Sequence, residues 1–94
     1  MRIKLYTQAI EQAKEIVNIE MDKSISEKGD GSFVSDCEIL GTITEEYDEL
    51  IDAIKSNDRN AVIKELSQIG NLAILGIASH LSWQYHRAER REKK

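Results

Sequence analysis

Two short acidic motifs carry the chemistry this chain has to offer: Glu45-Glu46-Tyr47-Asp48-Glu49 and Glu65-Leu66-Ser67-Gln68. Each sets two oxygen-bearing side chains three residues apart, which is about one turn of helix. Both lie in stretches whose apolar residues recur at helical spacing. With Glu46 as origin and about 100° per residue, Ile39 falls at about +20°, Leu50 at about +40°, Ile43 at about +60° and Ala53 at about −20°. Glu46 is therefore inside the apolar stripe, and Glu49 sits on its border at about −60°. The second motif repeats the layout. With Glu65 as origin, Ile69 falls at about +40°, Val62 at about +60°, Gly76 at about +20°, Leu72 at about −20° and Gln68 at about −60°. A carboxylate aimed at a core is costly unless compensated, and a divalent cation is a common compensation.

If the two helices pack as an antiparallel hairpin about Asn57-Asp58, then Glu46, Glu49, Glu65 and Gln68 converge. Hard oxygen ligands in that number suit Mg²⁺ or Mn²⁺. Zinc is not indicated, since His80 and His86 lack ligand-spaced partners and Cys37 is the sole cysteine. One Glu-x-x-Glu pair is commonly a solvated helix edge. Two pairs at matching azimuth on neighbouring helices make a stronger case.

Three helices are expected to position these groups. The first covers residues 2–23 or slightly beyond, with a narrow seam of Ile3, Tyr6, Ile10, Ala13, Val17 and Met21. Glu27 to Ser32, with two glycines beside Asp and Ser, is a break. Ser35-Asp36-Cys37-Glu38 has the Ser-x-x-Glu pattern of a capping box, and the second helix it opens should stop near Ser56-Asn57. Asp58 is a suitable N-cap for the third helix, which runs past Trp83. Between Ile69 and Leu81 that helix is apolar on almost every side. Two helices of one chain cannot easily enclose it, so a second protomer is expected to cover the rest.

The fold expected is therefore all-α: a three-helix protomer with a helical hairpin, assembling into a four-helix-type bundle by oligomerisation. Ninety-four residues form one domain, 1–94, with 86–94 as a charged tail prone to fraying. With 40% hydrophobic and 32% charged residues the chain reads as soluble. The net charge of −4 weighs against nucleic acid as a partner. The longest apolar run is short for a bilayer and is interrupted by Asn71, and no apolar signal core opens the chain. A cytoplasmic setting without membrane association is expected. Trp83 and Tyr85 read as packing residues, and His80 as a core or dimer-contact histidine.

The paired acids resemble the all-α nucleoside triphosphate pyrophosphohydrolase superfamily, the MazG-like and dimeric dUTPase-like proteins. The signature there is Glu-Glu-x-x-Glu, a spacer, then Glu-x-x-Asp. Glu45-Glu46-Tyr47-Asp48-Glu49 matches the first half, and Glu65-Leu66-Ser67-Gln68 matches the second except at its last position. The layout of helices agrees over nearly the whole chain. The loop Gly29-Asp30-Gly31-Ser32-Phe33 resembles short phage and bacterial members.

The resemblance implies a homodimer or homotetramer, Mg²⁺ (or Mn²⁺) dependence, and hydrolysis of an NTP or dNTP to the monophosphate and pyrophosphate. It also implies metal ligation by Glu46, Glu49 and Glu65, with Gln68 in the last ligand position as an amide. Glu45 and Glu49 are the catalytic candidates, Glu45 as a ligand or as the group orienting the attacking water. Gln68 leaves three carboxylates where four are usual, which implies attenuated activity. The alternative from a different class is a non-catalytic helical interaction module that kept the fold.

Overall fold

Residues 2–6 are not helical, and the chain turns helical only at Thr7, several residues later than the apolar seam alone suggests. The computed structural model describes residues 2–92. Among them there are three helices and no strand: α1 (Thr7–Lys28), α2 (Asp36–Lys55) and α3 (Arg59–Glu92). Ile3, Leu5 and Tyr6 are largely exposed, and Tyr6 caps α1 without a side-chain hydrogen bond. With no neighbour to bury them and no cap, residues 2–6 gain too little to offset the entropy of helix formation.

The boundaries of α2 have identifiable causes. Ser35 Oγ accepts from the Glu38 N–H at 3.3 Å. The Glu38 carboxylate accepts in return from the Val34 N–H at 3.1 Å, one residue earlier than in the simplest capping box. Ser35→Ala is expected to cost about 1 kcal/mol of stability, measurable by urea denaturation.

The hairpin between α2 and α3 is equally tight. Asn57 takes a left-handed conformation, φ 54°, which Asn tolerates better than most residues. Its N–H donates to the Ile54 carbonyl and the Asp58 N–H to the Ala53 carbonyl, the two bonds of a Schellman ending. Asp58 Oδ1 then accepts from the Ala61 N–H at 3.1 Å. One short turn thus ends α2 and caps α3. A β-branched Asn57→Val would be forced into the same conformation. It should destabilise the hairpin by roughly 1–3 kcal/mol in the same denaturation experiment.

α3 is the spine. It packs against α2 and against α1, while α1 and α2 do not pack on each other. Small residues allow the close approaches. A methyl group at Gly76 would touch Ile39 at 3.4 Å, and one at Gly70 would crowd Val17 at 3.2 Å. Gly29 ends α1 at φ 86°, a conformation that glycine adopts without a Cβ penalty. The charge-rich stretch from His86 continues as helix to Glu92, and Lys93 and Lys94 lie outside the described residues.

Among the described residues the core is meagre. Ala53 and Leu72 are the buried apolar side chains, against the buried polar Ser67, Asn71 and Ser79. The accessible surface is 8041 Å². A compact monomer of this mass would expose about 5,500 Å², roughly 2,500 Å² less. Ile74, Ile77 and Leu81 of α3 and Leu40, Tyr47 and Ile54 of α2 are all exposed. By length and composition α3 also meets the threshold for a membrane-crossing helix, with a most apolar window of mean hydropathy 1.3. Core helices of soluble proteins meet it too, and 22% of this window is buried within the chain.

Candidate metal centre

The hairpin aligns the two acidic motifs. One carboxylate oxygen each from Glu46, Glu49 and Glu65 lies within 4.8 Å of the others. Glu46 and Glu65 are half-buried, and Glu49 is exposed. This matches their azimuths: the first two face the partner helix, and Glu49 sits at the edge.

The electrostatics of this cluster are unfavourable as it stands. Oε2 of Glu46 and Oε2 of Glu65 are shielded from solvent and have no hydrogen-bond partner. Two ionised carboxylates only accept, so neither can satisfy the other. Burial of Glu46 pushes its pKa up from 4.5 to about 7. A hydrogen bond to Glu65, available once Glu46 is protonated, and the negative charges of Glu49 and Glu65 push the same way. A proton or a cation relieves the strain.

Gln68 is placed differently from the simple expectation. Its amide nitrogen donates to Glu20 Oε1 on α1 at 2.6 Å, and both residues are half-buried. Glu20 was not legible as a site residue. The only hint is that it shares a helical face with Val17 and Ser24, beside the apolar seam. Glu45 is exposed on α2 and lies outside the three-carboxylate group.

A cleft of about 420 Å³ opens under the loop between α1 and α2, and none of the clustered acids lines it. Its lining includes Ser24 and Lys28 of α1, Phe33 of the connecting loop, Thr42 of α2, and Leu72 and Leu75 of α3. Thr42, Leu72 and Ser24 are each four residues, one helical turn, from Glu46, Gln68 and Glu20. The loop is pinned over the cleft from α3. The Phe33 N–H donates to Ser79 Oγ at 3.0 Å, and Trp83 Nε1 donates to Ser32 Oγ at 3.1 Å.

Comparison with protein-family models, with characterised proteins and with solved structures returned no match. Any functional reading therefore rests on the site itself.

His80 is exposed in the single chain, which removes the core alternative of the core or dimer-contact reading. Its Nε2 lies 2.6 Å from Asp36 Oδ1, and its ring packs against Trp83 with centroids 4.7 Å apart. The reason is that Asp36 opens α2 directly opposite, on the outer edge of the hairpin. His80 therefore joins the start of α2 to α3 and is remote in sequence from both acidic motifs.

Proposed function

We propose that this protein binds a divalent cation, Mg²⁺ or Mn²⁺, and is a nucleotide pyrophosphohydrolase-like protein acting as a homodimer or homotetramer. The observation that carries the reading is the convergence of three carboxylates, two of whose buried oxygens have no partner. The donor set is all oxygen, which suits a hard cation. In this reading Glu46, Glu49 and Glu65 hold the cation and Gln68 offers its amide oxygen. The bound cation would supply Lewis-acid polarisation of a phosphate and a more acidic water. In this reading Glu49, at the exposed edge, would accept a proton from that water. Glu45, one residue from Glu46 and open to solvent, would orient it. The cleft one helical turn away, with apolar Leu72 and Leu75 and polar Lys28 and Thr42 in its lining, would take the nucleoside in this reading.

Two measurements test this. Calorimetric titration with Mg²⁺ and Mn²⁺ should show binding to wild type and none to Glu46→Ala, and equal traces would end the cation reading. Pyrophosphate release across a panel of NTPs and dNTPs tests the reaction. Binding of the cation without turnover of any nucleotide would favour the second reading, a non-catalytic interaction module. The observation on that side is Gln68, whose amide nitrogen is held by Glu20 where the resemblance calls for a fourth ligating acid.

The pH dependence follows from Glu46. Its raised pKa of about 7 means that the cation competes with a proton below that value. Mn²⁺ affinity should therefore rise as pH increases from about 5.5 to 8, with proton uptake by buffer on binding. A flat profile over this range would contradict the competition.

A further inference from the structure

We propose that Glu20 and Gln68 together take the place of one ligating carboxylate, with Glu20 as a positioning residue. This rests on the cation reading of the cluster. A glutamine amide can serve a cation only through its oxygen, and its nitrogen end would repel one. Left free, the two ends are nearly equal in shape and the group can turn over. The contact with Glu20 removes that freedom. A carboxylate only accepts, so it selects the nitrogen end of the amide, and at 2.6 Å the bond is short. Half-burial of both residues limits competition from water.

The amide oxygen is then the one end of Gln68 left for the cluster, one turn of α3 from Glu65. Glu20 itself lies outside the group of carboxylates within 4.8 Å, so it acts through Gln68. The charge that Gln68 lacks stands directly behind it. Negative charge drawn up behind a ligand polarises its oxygen and steadies its orientation, as a carboxylate does behind a metal-bound histidine. The division of labour is ligand atom from α3 and charge from α1. It also makes the packing of α1 on α3 part of the site.

The test is a Mn²⁺ titration by calorimetry on wild type, Glu20→Gln, Gln68→Met and the double variant, with thermal unfolding of each in EDTA to establish folding. Glu20→Gln can still accept a hydrogen bond but carries no charge and no longer selects the nitrogen end. It should bind Mn²⁺ about tenfold more weakly with an unchanged metal-free unfolding temperature. In the Gln68→Met background the same substitution should cost nothing further, because the residue it acts through is gone. Wild-type affinity in Glu20→Gln would overturn the proposal and leave the cation site standing. Additive losses in the double variant would overturn it also, as an effect independent of Gln68. If wild type itself binds no Mn²⁺, the cluster reading fails and takes this proposal with it.

Discussion

Glu46→Gln is expected to make the metal-free protein more heat-stable at pH 8 while removing its response to Mn²⁺. The two effects have one cause. In the folded state Glu46 holds a proton up to about pH 7, well above its ordinary 4.5, mainly because ionisation would bury a charge beside Glu65 and Glu49. Between those two values the folded state binds more protons at this site than the unfolded state does. Stability of the metal-free wild type should therefore decline as pH rises from about 4.5 to 7, and stay at the lower level above that range. Glutamine has the shape of the protonated acid and no charge to bury, so the variant should lack this decline.

The cation response runs the other way. Mn²⁺ stabilises the folded state by an amount set by its affinity and concentration. Wild type should gain stability with added Mn²⁺ at pH 8. The variant, with one of three carboxylates neutralised, should lose affinity by at least the roughly 10–100-fold seen when supporting groups of metal sites are removed. Thermal unfolding at pH 5 and pH 8, with EDTA or with millimolar Mn²⁺, separates the outcomes. A variant less stable than wild type in EDTA at pH 8 would show that the cluster is not strained.

The second large effect concerns assembly. Wild type is expected to sediment at about twice its 10.7 kDa chain mass or more, and Ile77→Asp to shift it toward monomer with loss of stability. The exposed side chains form two stripes. On α3, Ile63, Leu66, Ile74, Ile77 and Leu81 lie roughly 100–180° round from Glu65. On α2, Leu40, Tyr47 and Ile54 lie roughly 80–120° round from Glu46 in the same sense. In an antiparallel pair the α2 arc and the part of the α3 arc at Leu66 and Ile77 open on one side of the hairpin, while α1 reaches the α3 arc at Gly70, about 140° round. The opposite side carries Glu49 and Gln68, with Glu20 of α1 against the latter. A face of this kind fits a second copy of the same hairpin, which would complete a four-helix bundle. The excess exposed area of roughly 2,500 Å² is of the size that obligate dimers bury. Ile77 is 63% exposed, so an aspartate there fits the isolated chain without strain. Placed in an interface it would bury a charge and forfeit roughly 2 kcal/mol per copy of apolar burial. Equal sedimentation of the two proteins would exclude this face as the contact.

Much of the site was legible before any coordinates. The capping box at Ser35, the Asn57-Asp58 turn and the apolar spacing of α2 and α3 are local signals, and they place both acidic motifs on facing stripes. The convergence of Glu46, Glu49 and Glu65 follows once the hairpin closes, because helix periodicity and a short turn leave little freedom in the pairing. Two features resisted such reading. Residues 2–6 continue the apolar seam but stay outside the helix, since periodicity records which residues could be buried and not whether a neighbour exists to bury them. His80 sits at an apolar azimuth yet faces Asp36, because where α2 begins decides what stands opposite it.

Glu20 marks the boundary most sharply. The amino-acid sequence alone determined the course of α2 and α3, the caps at Ser35 and Asp58 and the inward direction of Glu46 and Glu65, all of which are set within a few residues of chain. Which partner Gln68 takes was decided only by tertiary structure. Its partner is 48 residues away, on a helix whose packing against α3 depends on the small side chains there, and no local spacing encodes that contact. The apparent flaw in the second motif is in the folded chain a hydrogen-bonded amide with a carboxylate behind it.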